Sequence, residues 1–268
     1  FFEFISKIPF YGLAVLCADD DFLIENTINK CLKFLISNKD YVCAAGKTIA
    51  FKKCGDQLNV EEAYLGANSI SDNNPIKRFS NHLSDYTFPT FYAITRTDVL
   101  EYSWRKTREH IPAEDYRFFE LLPTLLTVTK GKFYIADELY SARELIDTST
   151  GASTKTIMDY KLEGTYDSYY RNFKNCLTSE LMKIGHIDSN DAEKIIDDSM
   201  DRYIQKFYTS SVFVYKIKSQ FYVLLKKLKL YNSIRKIKRR NRNNNIIKHT
   251  NTKEWSIIKK FLLKDAVI

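Results

Sequence analysis

The run Leu13-Ala14-Val15-Leu16-Cys17-Ala18 ends in three consecutive carboxylates, Asp19, Asp20 and Asp21. No other stretch constrains the fold as tightly. An unbroken apolar row of strand length predicts a strand buried on both faces, as inside a parallel sheet. In open α/β sheets the ligand site lies just beyond the carboxyl ends of the strands, where these acids would fall. Adjacent carboxylates repel one another unless a cation sits among them, and hard oxygen ligands suit Mg²⁺ or Mn²⁺. In an extended chain the alternate residues Asp19 and Asp21 face the metal. The same residue types also make a solvated loop that caps the next helix, since Asp is a strong N-cap.

Beyond the aspartates, helical and strand patterns alternate. Ile24, Ile28, Cys31, Leu32 and Leu35 fall at helical spacing, predicting a helix to about Ser37 with Asp20 or Asp21 as its cap. After a turn at Asn38-Lys39-Asp40, Tyr41 to Gly46 reads as a strand, which makes a βαβ-like unit and favours parallel pairing. Cys54 to Asp85 is weakly patterned and polar, as functional loops are, with a turn at Asn73-Asn74-Pro75. Phe91 to Arg96 reads as a strand and Asp98 to Arg108 as a helix. A buried helix is predicted from Asp115 to Lys130, with Pro123 near its first turns or bending it and Gly131 closing it. Phe133–Ala136 and Leu139–Glu144 are the last strands. The fold class is α/β, a mixed sheet flanked by helices.

Asp147 to Thr156 is rich in Ser, Thr and Gly and reads as a boundary. Residues 1–147 then form the sheet-bearing body, 148–164 a linker and 165–268 a helical basic extension. Tyr166, Tyr169, Tyr170, Phe173, Leu177, Leu181 and Ile184 share one helix face. Ala192, Ile195, Ile196, Tyr203, Ile204 and Phe207 share another, after a cap at Asp188 or Ser189. Aromatic stripes at this spacing are helix-packing surface.

Charge divides the chain as well. Residues 211–268 carry 16 Lys/Arg against two acids, and the preceding residues 25 against 31. The helix predicted over 211–238 has an apolar face beside cationic flanks, followed by the basic cluster Arg235 to Arg242. It fits an interfacial helix on anionic lipid, and equally a helix packed on its own domain with a solvated basic face. A short helix is predicted over 253–263. Nucleic-acid binding through the cluster is disfavoured by the acidic body and by the lack of any recognised nucleic-acid fold. The five cysteines form no CxxC pair and read as reduced core thiols. No apolar stretch reaches membrane-spanning length. Phe1 to Lys7 resembles the end of a helix, and the first Met is Met158, so a preceding N-terminal part is expected.

Taken in order, these pieces resemble a known group. They are Leu16 to Phe22, Phe34-Leu35, Gly46, Phe91 to Thr97, Glu120-Leu121-Leu122, Gly131-Lys132, and Leu139-Tyr140 with Arg143-Glu144. The order is similar to that of GT-A glycosyltransferases of the family 2 type, closest to a bacterial subgroup, over about residues 1–145. The resemblance implies a GT-A-like sheet, incomplete at its N-terminus because the family's first nucleotide-binding half precedes the Asp-x-Asp strand. Such a piece would be inactive alone.

By the same resemblance Asp21 binds the divalent metal, Asp19 the ribose or metal-bound water, and Asp20 fills the variable position between them. Glu114-Asp115 corresponds to the family's Glu-Asp pair, with Asp115 as catalytic base and Glu120 as the second candidate for that role. Glu114-Asp115 also fits a plain acidic helix start that offsets the macrodipole. His82 and His110 are polar groups near the site without an assigned role. The implied partners are a nucleotide-sugar donor, a glycan or lipid-linked acceptor and an anionic membrane surface through 211–242, with no nucleic acid. The implied location is cytoplasmic, peripheral to the inner face of a membrane, in surface glycan or polysaccharide synthesis. The rival class is an inactive interaction or membrane-surface module derived from a transferase.

Overall fold

The computed structural model describes residues 12–64, 66–112, 114–146, 155–209 and 249–264. The helices expected at 1–7 and 211–238, the basic cluster and most of the Ser/Thr/Gly linker lie outside the described residues.

Six strands form one mixed sheet: β1 (Leu13–Ala14), β2 (Asp21–Leu23), β3 (Tyr41–Cys54), β4 (Gln57–Ala63), β5 (Ile94–Arg96) and β6 (Lys132–Glu144). Their order is β1-β5-β3-β6-β2, with β4 paired to β3. Long β3 is the spine. Its first half pairs antiparallel with β5 and its second half with β4, while β6 runs parallel along its other side. Val42–Gly46 and Thr48–Phe51 are buried, the continuous burial that a strand covered on both faces requires.

The opening run departs from expectation. Only Leu13 and Ala14 are strand, and Leu13–Leu16 are half-buried rather than enclosed. β1 and β3 do run in the same direction, but they are not neighbours. β5 lies between them, antiparallel to both. The aspartates form a turn at Asp19-Asp20 that leads into β2, which pairs antiparallel with β6. Helix α1 (Glu25–Ser37) starts after β2 and takes Ile24 as its N-cap residue, with no side-chain cap. Neither Asp20 nor Asp21 caps it.

The polar stretch 54–85 is more regular than its composition suggests. A tight turn with Gly55 at φ +58° reverses the chain from β3 into β4, a left-handed conformation that favours glycine. Helix α2 (Pro75–Ser84) comes next, with Asn74 Oδ1 accepting from the amides of Ile76 at 2.8 Å and Lys77 at 3.2 Å. Pro75 stands where a helix tolerates proline, since the first-turn N–H has no helical partner.

Helices α3 (Thr97–His110) and α4 (Tyr116–Lys130) occupy the expected places, and Pro123 is buried inside α4. Gly131 does not close α4 in a left-handed turn. Its φ is −178°, and it is excluded from bearing a side chain by space, because a Cβ there would lie 2.3 Å from Val42 Cγ1. The two strands expected after it are one, β6.

Beyond the linker, α5 (Ile157–Glu163), α6 (Tyr166–Gly185) and α7 (Ser189–Ile204) pack onto the body. Helix α5 falls inside the segment expected as linker. The aromatic faces expected for packing do pack: Phe118 of α4 meets Phe173 at 4.8 Å and Tyr170 at 6.0 Å between ring centroids. Phe79, Leu83, Phe118, Leu122, Phe173, Leu177, Ile196 and Met200 form one buried cluster. The helical extension thus shares a core with α2 and α4 and does not build its own.

Helix α8 (Lys253–Lys264) returns to the sheet. Its Trp255 and Ile258 are buried against Ile49, Phe51 and Ala142.

Of the five cysteines, all free, Cys31, Cys43 and Cys176 are buried, while Cys17 and Cys54 are exposed. The last two are therefore not core thiols. Among the described residues no helix is long and apolar enough to cross a membrane.

Candidate functional site

The β2–β6 pairing sets Asp21 directly opposite Arg143. Arg143 interrupts an otherwise buried strand segment, Leu139-Tyr140-Ser141-Ala142, and a charge so placed needs partners. It has three. Nε donates to Asp21 Oδ2 at 2.9 Å, Nη1 to the Tyr64 hydroxyl, and Nη2 to the Tyr92 hydroxyl at 3.1 Å. The guanidinium also lies over the Tyr92 ring, 4.2 Å from its centroid. Tyr64 ends the β3–β4 hairpin with φ 54°, an uncommon conformation for a non-glycine residue.

Arg143 lies in the wall of a cleft of 730 Å³. Asp20 enters from the β1–β2 turn, Tyr92 from the 3₁₀ turn Thr90–Tyr92 before β5, and Tyr116, Arg117 and Glu120 from the first turns of α4. Lys206 and Phe207 enter from the π-helical turn Gln205–Thr209 after α7. Cations and carboxylates face one space between aromatic walls.

The second candidate base is the one that lines this cleft. Glu120 is half-buried, and burial raises its carboxyl above the usual range, opposed by Tyr116, Arg117 and Arg143. Its carboxylate stands 3.8 Å from Arg117 Nη1. Asp115 does not line the cleft. It is fully buried as the N-cap of α4, its Oδ1 accepting from the Phe118 amide at 3.4 Å. Its Oδ2 has no hydrogen-bond partner of ordinary geometry. Burial pushes its pKa up to about 6, against the pull of the Phe118 amide and the nearby Tyr160 hydroxyl. Glu114 is exposed and outside the cleft lining.

The aspartate run is divided differently from its alternation. Asp20 lines the cleft, whereas Asp19 is exposed and is not among the residues that line it. Asp21 is enclosed behind the wall, with its side chain 6 % exposed. Burial raises its pKa, although Arg143 works against that. Asp21 Oδ1 is buried and has no hydrogen-bond partner.

Asp19 and Asp21 are therefore not assembled as a metal-facing pair. Among the described residues no three His, Cys, Asp or Glu side chains gather as a ligand set. Mg²⁺ is commonly held by only one or two carboxylates together with substrate phosphates. Asp20 is the carboxylate of the run that faces the space where such a cation would sit.

His82 lies in α2, beside a neighbouring pocket, and His110, at the end of α3, is outside both. Of the cleft residues, Tyr64 and Tyr86 carry no signal in the sequence beyond being tyrosines in irregular segments. Arg143 does carry one, a lone cation in a buried strand pattern. Phe207, whose spacing predicts helix-packing surface, lines the cleft instead.

No protein-family model matches the chain, and no curated protein matches it.

Proposed function

We propose that the chain is part of a glycosyltransferase that moves a sugar from a nucleotide-sugar donor to an acceptor hydroxyl with inversion. One observation carries this reading. Glu120, a carboxylate of raised pKa, shares a cleft with Asp20 and with Arg143, which is itself locked to Asp21. That gives a base and a charge-compensating group in one space, at residues whose order resembles family 2 transferases.

Each residue type has work suited to it. Glu120 accepts the proton of the acceptor hydroxyl as that oxygen attacks the anomeric carbon. The bond to the pyrophosphate breaks with its electron pair leaving on the nucleoside diphosphate. Arg143 and Lys206 offset the charge that grows on that leaving group, while Arg117, 3.8 Å from Glu120, positions the base. Tyr92 and Tyr116 supply aromatic surface beside it. A divalent cation held by Asp20 together with the donor phosphates would neutralise pyrophosphate charge and orient the donor.

The test is nucleoside diphosphate release from a panel of nucleotide sugars by the full-length protein, with Mn²⁺ and with chelator, and product anomeric configuration by NMR. The expected result is acceptor-dependent release giving the inverted anomer. Failure to bind or turn over any nucleotide sugar would sink the reading and favour a non-catalytic interaction module.

A further inference from the structure

Next to the cleft lies a second pocket, of 570 Å³. Thr87 lines both. The ion pair between Asp85, which lines the pocket, and Lys206, which lines the cleft, bridges the two spaces. A molecule seated in the pocket therefore adjoins the cleft that holds Glu120.

The two spaces differ in charge. The cleft carries Arg117, Arg143 and Lys206. The described residues of the pocket wall include no Lys or Arg, and carry two carboxylates, Asp72 and Asp85. An anion entering there meets the Asp72 carboxylate and finds Lys206, at the border, already engaged by Asp85. The remaining polar lining consists of neutral donors and acceptors, among them Asn68, Ser71 and Asn81. Ile70, Phe88 and Phe133 add an apolar portion. Polar groups beside an aromatic patch match a ring that has hydroxyls at its edge and C–H groups on its face.

At the pocket wall stands His82, 4 % exposed, whose Nε2 has no hydrogen-bond partner. A buried ring nitrogen without a partner is costly unless something bonds it. Burial pushes its pKa down to about 4, so the ring is neutral near pH 7 and adds no charge for an anion.

We infer that this pocket is the acceptor subsite, and that it takes a neutral, hydroxyl-rich saccharide unit and rejects a phosphorylated one. The inference rests on the transferase reading of the adjoining cleft. Donor pyrophosphate then occupies the space lined by three cations and acceptor sugar the one whose described lining has none, so charge favours each substrate in its own place.

The experiment uses neutral trisaccharides of glucose, galactose, mannose and N-acetylhexosamine, and the same compounds bearing one phosphate, titrated against the full-length protein. Binding is read by saturation-transfer NMR and calorimetry. Two exposed lining positions are varied, Asn81→Phe to fill the pocket and Asn68→Lys to place a cation in it, with melting temperature checking the fold of each. At least one neutral trisaccharide is expected to bind, its phosphorylated form at least tenfold more weakly. Asn81→Phe should weaken the neutral compound tenfold or more, and Asn68→Lys should narrow the gap between the two forms. The proposal is overturned if no neutral trisaccharide binds, if phosphorylated forms bind as well, or if folded Asn81→Phe binds unchanged. Saccharide binding without turnover of any nucleotide sugar would remove the transferase reading and leave a saccharide site. Transfer with unchanged acceptor KM in Asn81→Phe would remove the subsite and leave the transferase.

Discussion

Asp21 and Arg143 stand opposite one another in the β2–β6 register, and their side chains pair at 2.9 Å. The pair joins the aspartate turn to the strand that also contacts Tyr64 and Tyr92. Replacing Arg143 by Met leaves a buried carboxylate without its partner. Breaking such a pair costs roughly 3 kcal/mol. Urea denaturation of R143M should show a loss of that order, and adding Asp21→Asn should recover part of it, since the uncompensated charge is then gone.

Glu120 and Asp115 compete for the role of base, and kinetics separates them. Glu120→Gln should lower kcat about 10²–10⁴-fold, the range for removing a positioned general base, with little change in donor KM. Asp115→Asn should leave kcat within a few fold. Because the pKa of Glu120 is raised, the acid limb of kcat/KM should lie above the ordinary glutamate range. Steady-state assays of both variants across pH decide the assignment.

The buried cap has its own pH signature. The folded-state pKa of Asp115, about 6, exceeds its ordinary 3.8, so the folded chain retains a proton that the unfolded chain releases. The resulting stability is complete below about pH 4 and is lost as pH rises through about 6. Asp115→Asn keeps a capping oxygen and removes the titration. Urea midpoints from pH 4 to 7 should show the parent losing about 2 kcal/mol relative to the variant.

Gly131 should not tolerate a methyl group. A Cβ there would sit 2.3 Å from Val42 Cγ1 and 3.0 Å from the Asp40 carbonyl. Overpacking of this kind costs about 1–3 kcal/mol. Thermal unfolding of G131A should show the loss, and Val42→Ala in the same chain should relieve part of it by clearing the nearest atom.

A shared core predicts shared unfolding. Leu177 of α6 is fully buried in the cluster that includes Phe118 and Leu122 of α4. Leu177→Ala should cost about 3 kcal/mol. Near-ultraviolet circular dichroism and the fluorescence of Trp104, in α3, and Trp255, in α8, should report that loss in one coincident transition. A separate early transition for residues 165–204 would contradict the common core.

Local signals settled the elements whose stabilisation is local or strongly periodic. Helices α1, α3, α4, α6 and α7 were legible because their buried positions recur at helical spacing, and the mixed α/β class comes from the alternation of such helices with apolar runs. The cap at Asp188, one of two candidates with Ser189, was legible too and bonds the amide three residues on, whereas Asp115, expected as an acidic helix start, proves to be a cap as well. Hairpin β3–β4 was missed because its solvent-facing strand carries the polar residues of an edge, and its turn offers only Gly55 as a signal.

Which strands are neighbours could be decided only by the assembled sheet. Insertion of β5 between β1 and β3 depends on pairing across many residues, to which side-chain pattern is indifferent. The same holds for the aspartates. Their alternation pointed to Asp19 and Asp21, but a turn at Asp19-Asp20 sent Asp20 to the cleft and Asp21 beneath Arg143. Composition located the acids; the register of β2 on β6 determined which of them is neutralised and which is free to meet a substrate.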